Sequence, residues 1–260
     1  MSKLYDEQDY QVRDTKGTIF YSIQKFEYEA VLKQIMKIID TKNSSLLDFG
    51  AGKGLFLNFA QELGFKVKGV ETSIPRASYA QQVFGLEIAT NTYNGGEILG
   101  GNFNVITLFH VLEHLDQPKN LLKNLVVNNL NPKGLLVVEV PNILSWQAKL
   151  AGKHWLHLDI PRHLSHFSEE KLFNILNDMN LTIIKKEFFS WHLGVIGMMQ
   201  SIWTWFGYKG FLIGDLKEKK TIILMLLIAI SLPFAILLEL IASLCNKGGV
   251  MRYYAQNKIS

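Results

Sequence analysis

From residue 46 the chain reads Leu-Leu-Asp-Phe-Gly-Ala-Gly-Lys-Gly, and an apolar helical pattern resumes at Leu55. No other segment restricts the fold so narrowly. A short apolar run of this kind is a buried strand, and three alternate glycines let the backbone turn sharply from that strand into a helix. They also remove Cβ where a ligand must lie against the main chain. In open α/β sheets such turns lie outside the carboxyl ends of the strands, which is where ligands bind.

The rest of the first 190 residues alternates in the same way. Helical spacing runs from about Ile23 to Ile39, from Leu55 to Leu63 with a stop at Gly64, and from Pro75 to Val83. Strands are expected at Phe65 to Val70, Leu86 to Ala89, Asn104 to Phe109 and Leu135 to Val140, the last after an Asn131-Pro132-Lys133-Gly134 turn. Val111 to His114 opens a helical stretch, and Asn120 to Asn128 is a helix. Residues 1 to about 22 read as a loop or arm, and Asn91 to Asn102 as a glycine-rich loop. Strands separated by helical patterns predict a parallel sheet of βαβ units.

Composition excludes several classes. The single cysteine, Cys245, rules out a disulfide framework and a Cys-rich zinc site. A net charge of +4 without a basic stripe argues against nucleic acid. The first residues are polar and carry no secretory h-region, so the enzyme part is expected to face the cytoplasm, at the inner face of a membrane.

The loop also selects its ligand. G-x-G-x-x-G and G-x-x-x-x-G-K-[ST] both fail at Gly50-x-Gly52-x-Gly54, and Asp48 would repel a pyrophosphate. Glu71 ends the next strand about 20 residues on, where a carboxylate can accept both ribose hydroxyls. Asp48 and Glu71 together describe a nucleoside with a cationic amino-acid tail.

On these residues the chain resembles the class I S-adenosylmethionine-dependent methyltransferases. The matching segments are Leu46–Gly54, Val67–Glu71, Phe103–Leu115 and Gly134–Asn142. A weaker likeness through His154–Ser168 is to a bacterial subgroup similar to the ubiquinone-biosynthesis enzymes. The resemblance implies a doubly wound, mostly parallel seven-stranded sheet whose last strand is inserted antiparallel beside the fifth. It implies S-adenosyl-L-methionine as cofactor, held by Asp48, Gly50, Ala51, Gly52, Gly54, Glu71, Thr72, Phe109 and His110. Asp48 then lies by the methionine end, Glu71 on the ribose, and Phe109-His110 beside the adenosine and the transferable methyl.

The catalytic candidates come from two histidine-rich stretches. His110 and His163 could take a proton from an acceptor, and Arg162 could position an anionic or carbonyl oxygen. The stretch His154 to Ser168 reads as a lid or as an Arg and His network tying a loop to the sheet, with Ser168 capping a helix. His110, Glu113 and His114 suggest a metal, but His110 stands where metal-using relatives of the subgroup carry an acid, so none is expected.

The C-terminal part is of another character. Thr221 to Leu238 holds 18 residues without a charge, enough to be a spanning candidate, and Leu193 to Trp205 is a second apolar stretch with Trp203 and Trp205 suited to an interface. Lys217, Lys219 and Lys220 precede it as a solvated loop or as a contact for anionic head groups. If Leu181 to Phe188 and Val250 to Ala255 are the last two strands of the sheet, a single crossing is forbidden, because the final strand must return to the sheet. A bend at Pro233 and a monotopic insertion are expected, with two crossings, a helical lid on the protein or on a partner subunit, or, should the final strand not form, a single-span anchor with a short external tail as alternatives. The domains expected are an arm and helix over 1–40, a cofactor-binding core over 41–192, an apolar, membrane-associated insertion over 193–246, and the last strand and tail over 247–260. The activity expected is methyl transfer to an unidentified oxygen, nitrogen or carbon, in a hydrophobic or lipid-linked acceptor. A nicotinamide-dependent oxidoreductase and a non-catalytic membrane scaffold are the rivals.

Overall fold

In the computed structural model, residues 16–90, 93, 96–218 and 221–257 are described. The expected arm falls largely outside them, as do Lys219, Lys220 and part of the 91–102 loop. The order is α1 (Ile19–Met36), β1 (Ser45–Phe49), α2 (Leu55–Glu62), β2 (Lys66–Val70), α3 (Ile74–Phe84), β3 (Ile88–Ala89), β4 (Phe103–Phe109), α4 (Pro118–Asn128) and β5 (Leu130–Pro141). Then come α5 (Trp146–Ala151), α6 (Glu169–Asn177), β6 (Leu181–Glu187), α7 (Leu193–Trp205), α8 (Leu212–Glu218), α9 (Ile222–Leu244) and β7 (Val250–Asn257).

The strands form one sheet in the order β3-β2-β1-β4-β5-β7-β6. The first five are parallel, and β7 lies antiparallel between β5 and β6. Side chains alternate across a strand, so successive residues feed opposite faces. Leu47, Ile106, Leu136, Val138 and Tyr253 enter one core. Leu46, Val105, Leu135, Val137 and Tyr254 enter the other, where Val31, Leu32 and Ile35 of α1 close over them.

Three local expectations change. The Asn131-Pro132-Lys133-Gly134 turn lies within β5, as an irregularity: pairing steps from Phe103↔Leu130 to Val105↔Leu135, with Lys133 left-handed at φ 61°. Gly134 is needed there because a Cβ would stand 2.7 Å from the Asn131 carbonyl oxygen. The helical stretch at Val111 is a short 3-10 turn, Leu112–His114, separate from α4. And α9 runs unbroken through Pro233. Pro233 withholds its amide and crowds the Ala229 carbonyl one turn back, yet the helix continues to Leu244.

One ion network ties the sheet's antiparallel edge to α1. Arg252 of β7, side chain 6% exposed, contacts Glu139 of β5, bonds Glu27 of α1 through Nη2 (3.0 Å) and reaches Glu187 of β6 through Nη1 (3.1 Å). Glu27 also accepts from His192 Nδ1 at 2.9 Å. Burial would raise the Glu27 pKa, but His192 and Arg252 hold it down at about 2. Removing the shared cation takes from two buried carboxylates, Glu27 and Glu139, one of the partners that compensate their charge. Urea unfolding of Arg252→Leu should therefore show a loss of about 3–5 kcal/mol, whereas substituting an exposed lysine such as Lys123 should cost almost nothing.

Candidate functional site

The glycine loop sits at the carboxyl ends of β1 and β4. All three glycines are left-handed, at φ 86°, 56° and 75°. A Cβ on Gly50 would stand 2.4 Å from Val111 Cγ2, and one on Gly54 would stand 2.5 Å from Leu86 Cδ1. Gly52 differs, because its missing Cβ faces open space. Gly50 and Gly54 are therefore required by packing, while Gly52 leaves bare backbone for a ligand.

Glu71 holds this loop in shape. Its Oε2 accepts from the Gly52 amide (2.8 Å) and its Oε1 from the Ser73 amide (2.7 Å). A carboxylate has further lone pairs, so Glu71 can accept ribose hydroxyls while it braces the loop. Thr72 is exposed on the turn from Glu71 into α3, and Ala51 is buried behind the loop. Asp48 is buried and accepts from Thr107 Oγ1 at 2.6 Å. Burial raises its pKa to about 7 against the Thr107 hydrogen bond, and the nearby Glu71 adds to the rise. Such an acid becomes a full carboxylate when a cation arrives, which suits an ammonium or sulfonium ligand. Phe109 ends β4 with Phe56 against its ring (4.8 Å) and Tyr28 beside it (6.0 Å).

His110 follows, itself left-handed at φ 55°. Its Nδ1 lies 3.1 Å from Glu113 Oε1 and its Nε2 2.9 Å from Glu139 Oε1. Burial disfavours its charge, yet the two carboxylates overcome that and raise its pKa to about 10. It is an imidazolium at neutral pH with both nitrogens occupied. The proton-accepting role expected of His110 does not fit this arrangement, and a fixed positive charge at the carboxyl end of the sheet does.

The remaining expected residues lie in the loop after α5. His163 Nδ1 is 2.8 Å from the His157 carbonyl, and burial lowers its pKa. It is thus neutral, with Nε2 3.8 Å from Asp159. His157 stacks on His110 and, driven by burial, has a pKa near 3. Arg162 turns outward to Asp159, at 2.9 Å to Oδ1 and 2.7 Å to Oδ2. The loop is thereby a histidine network tied to the sheet, and Ser168 caps α6 by accepting from Lys171.

Glu113, His114 and His163 bring three candidate ligand atoms within 4.8 Å of one another. Glu113 Oε2 finds no hydrogen-bond partner among the described residues. One carboxylate and two imidazoles are donors that divalent ions accept. His110 is not one of the three, but its Nδ1 borders the group at Glu113 Oε1 while its Nε2 lies on Glu139.

Sequence reasoning missed Glu27, Tyr28, Glu139, His192 and Arg252. Tyr28 lies amid Asp48, Glu139 and Glu27, whose charges add to burial in raising its phenol pKa. Glu139 alone left a trace, as a lone acid inside the apolar Leu135–Val140 strand. The others come from distant segments that only the fold brings together.

The methyltransferase-domain family matches residues 23–186. The mitochondrial ubiquinone biosynthesis O-methyltransferase of Schizosaccharomyces pombe is 31% identical over 100 residues, which is 36% of this chain and 36% of that relative. The fold is shared with a SAM-dependent methyltransferase from Archaeoglobus fulgidus (TM-score 0.57, 17% identity, 90% of this chain and 94% of that one). It is shared also with the magnesium protoporphyrin IX methyltransferase of Synechocystis, solved with bound SAH (TM-score 0.54, 16% identity, 66% and 79%). With the glycine loop, Glu71 and the inserted antiparallel strand in place, the chain belongs to the methyltransferase-domain family, in the class I group that uses S-adenosylmethionine.

Proposed function

We propose that the chain transfers the methyl group of S-adenosylmethionine to a hydrophobic or lipid-linked acceptor. The observation that carries the transfer is the bare backbone at Gly52 between Glu71 and Asp48. The bound cofactor supplies an electrophilic methyl on a sulfonium. The chain's residues do the rest: Glu71 orients the ribose, Asp48 offers a carboxylate to the cationic end, and Phe56, Tyr28 and Phe109 exclude water beside it. Holding the methyl in line with an acceptor atom removes most of the entropic part of the barrier. The hydrophobic character of the acceptor is supported by the outward apolar face of α9 on the same chain. Neutral His163 is the side chain best suited to accept a proton, since His110 is already charged.

Calorimetric titration of S-adenosylmethionine should give micromolar binding. Glu71→Ala should weaken it at least about tenfold, or ~1.4 kcal/mol; unchanged affinity would reject the ribose contact. The Asp48 pKa near 7 sets a pH dependence with a definite sign. Cation binding needs the carboxylate, so the free protein must release a proton below pH 7. Affinity should fall as pH drops from 7 to 5.5, by up to about tenfold per unit, and Asp48→Asn should flatten that profile. A wild-type profile that is flat over this range would remove Asp48 from the cofactor's cationic end.

A further inference from the structure

Helix α9 is built inside out. The residues that face the protein are Leu224, Ile228, Ser231, Ala235, Glu239 and Ala242, small or polar over the better-buried half. The opposite face carries Ile223, Leu226, Ile230, Phe234, Leu237 and Ile241 at three- and four-residue spacing, all exposed. A helix of a water-soluble protein shows the reverse pattern. Among the 18 most apolar residues of α9, 11% are buried, and their mean hydropathy is 2.6.

The inward face is anchored to the methyltransferase body. Glu239 accepts from Gln147 Nε2 (2.7 Å) and from the Gly249 amide (2.8 Å), and Ser243 donates to the Phe188 carbonyl (2.9 Å). The neighbouring α7 is bound to the body along its length. Gln147 donates to the Gly194 carbonyl at 2.7 Å, Gln200 to the His154 carbonyl at 3.1 Å, and Leu212 to Gln200 Oε1 at 2.9 Å. Gly194 and Gly197 are glycines because a Cβ would meet Glu239 (2.8 Å) or Gln147 (2.3 Å). At 23 residues and about 1.5 Å per residue, α9 is long enough to cross a bilayer. Standing upright in one, however, it would carry these polar contacts of the body into hydrocarbon, where unsatisfied groups are costly.

We propose that α9 lies in the plane of a membrane surface, its outward face among the acyl chains of one leaflet and both its ends on the same side, so that the protein is monotopic. Three observations favour lipid over a protein partner. The exposed apolar arc covers about two thirds of the helix circumference, a convex ridge that fluid chains envelop and a flat protein face does not. Exposed aromatics flank it: Trp205 and Phe206, 75% and 84% exposed, precede α9 in the chain, and exposed Trp146 of α5 donates its amide to the carbonyl of Lys247, just past the end of α9. Lys209 is exposed beside the first pair, and Lys217, Lys219 and Lys220 follow it in sequence, a charge suited to anionic head groups.

This seat extends the proposed activity by bringing the catalytic body to a lipid-borne acceptor, but its test needs no turnover. The full chain, exchanged from detergent onto phosphatidylcholine vesicles with and without 30 mol% phosphatidylglycerol, should float with both and more completely with the anionic set. The variant L226E/I230E/F234E should lose at least about 90% of its flotation while still binding S-adenosylmethionine, which shows that it is folded. Retained flotation of this variant, or a wild-type protein that stays off vesicles and sediments as a dimer, overturns the proposal. Orientation is read with Thr221→Cys added to the native Cys245, which is exposed at the other end of α9. After reaction with a membrane-impermeant maleimide, intact mass should show molecules with two labels or none. Molecules with a single label would mean that α9 spans the bilayer.

Discussion

The buried guanidinium of Arg252 is the interaction on which the rest of the structure depends. It stands on the one strand inserted antiparallel into the sheet, and it joins carboxylates of β5, β6 and α1. A buried ion pair is seldom a net gain over apolar packing. Its value here is geometric. Three carboxylates from three elements converge on one cation, so the strand register, the seat of α1 and the position of Glu139 are set together. Glu139 passes the constraint to His110, and His110 passes it to Glu113. The charge state of the site is thus inherited from the sheet edge.

The opposite edge of the site is built without charge pairing. Glycine conformations at Gly50 and Gly54 are dictated by contacts with Val111 and Leu86, and the Glu71 carboxylate closes the loop by accepting two backbone amides. One carboxylate therefore shapes the loop from both sides of its turn. Asp48 is left buried with a single hydroxyl donor, so its charge is costly until a cation arrives. A cofactor carrying positive charge is selected by that unmet need as much as by any contact.

The C-terminal helices use the logic of burial in reverse. α7 supplies an ordinary buried face to the body, and α9 covers α7 with its small and polar residues. What α9 shows to the outside is a second apolar surface larger than the one it buries. Its anchoring through Glu239 and Ser243, on Gln147, Gly249 and Phe188, keeps this surface at a fixed orientation to the sheet.

Local patterning made much of this legible. The alternation of apolar runs, the Asp48 to Gly54 loop, Glu71 and the returning strand at Val250 are properties of contiguous residues, and their periodicity and turn chemistry act within a few positions of the chain. The sheet and the ligand loop follow from them, while the antiparallel insertion of the last strand was implied only by the family resemblance. The charge of His110 was not legible. An isolated histidine titrates near neutrality, and it is Glu139, brought alongside by β-pairing, and Glu113, one 3-10 turn away, that push the pKa of His110 upward against its burial. Nor was the continuity of α9 through Pro233 legible, or which of its faces is covered, because its few small and polar positions, Ser231, Ala235, Glu239 and Ala242, do not say whether the protein or the outside lies against them. The sequence by itself determined the order of the elements and the chemistry of the cofactor loop, since both are set by short-range sterics and hydrophobic period. Only the tertiary structure decided which carboxylates share Arg252 and which face of α9 is left outside, since burial and electrostatics at those places are sums over residues up to 225 positions apart.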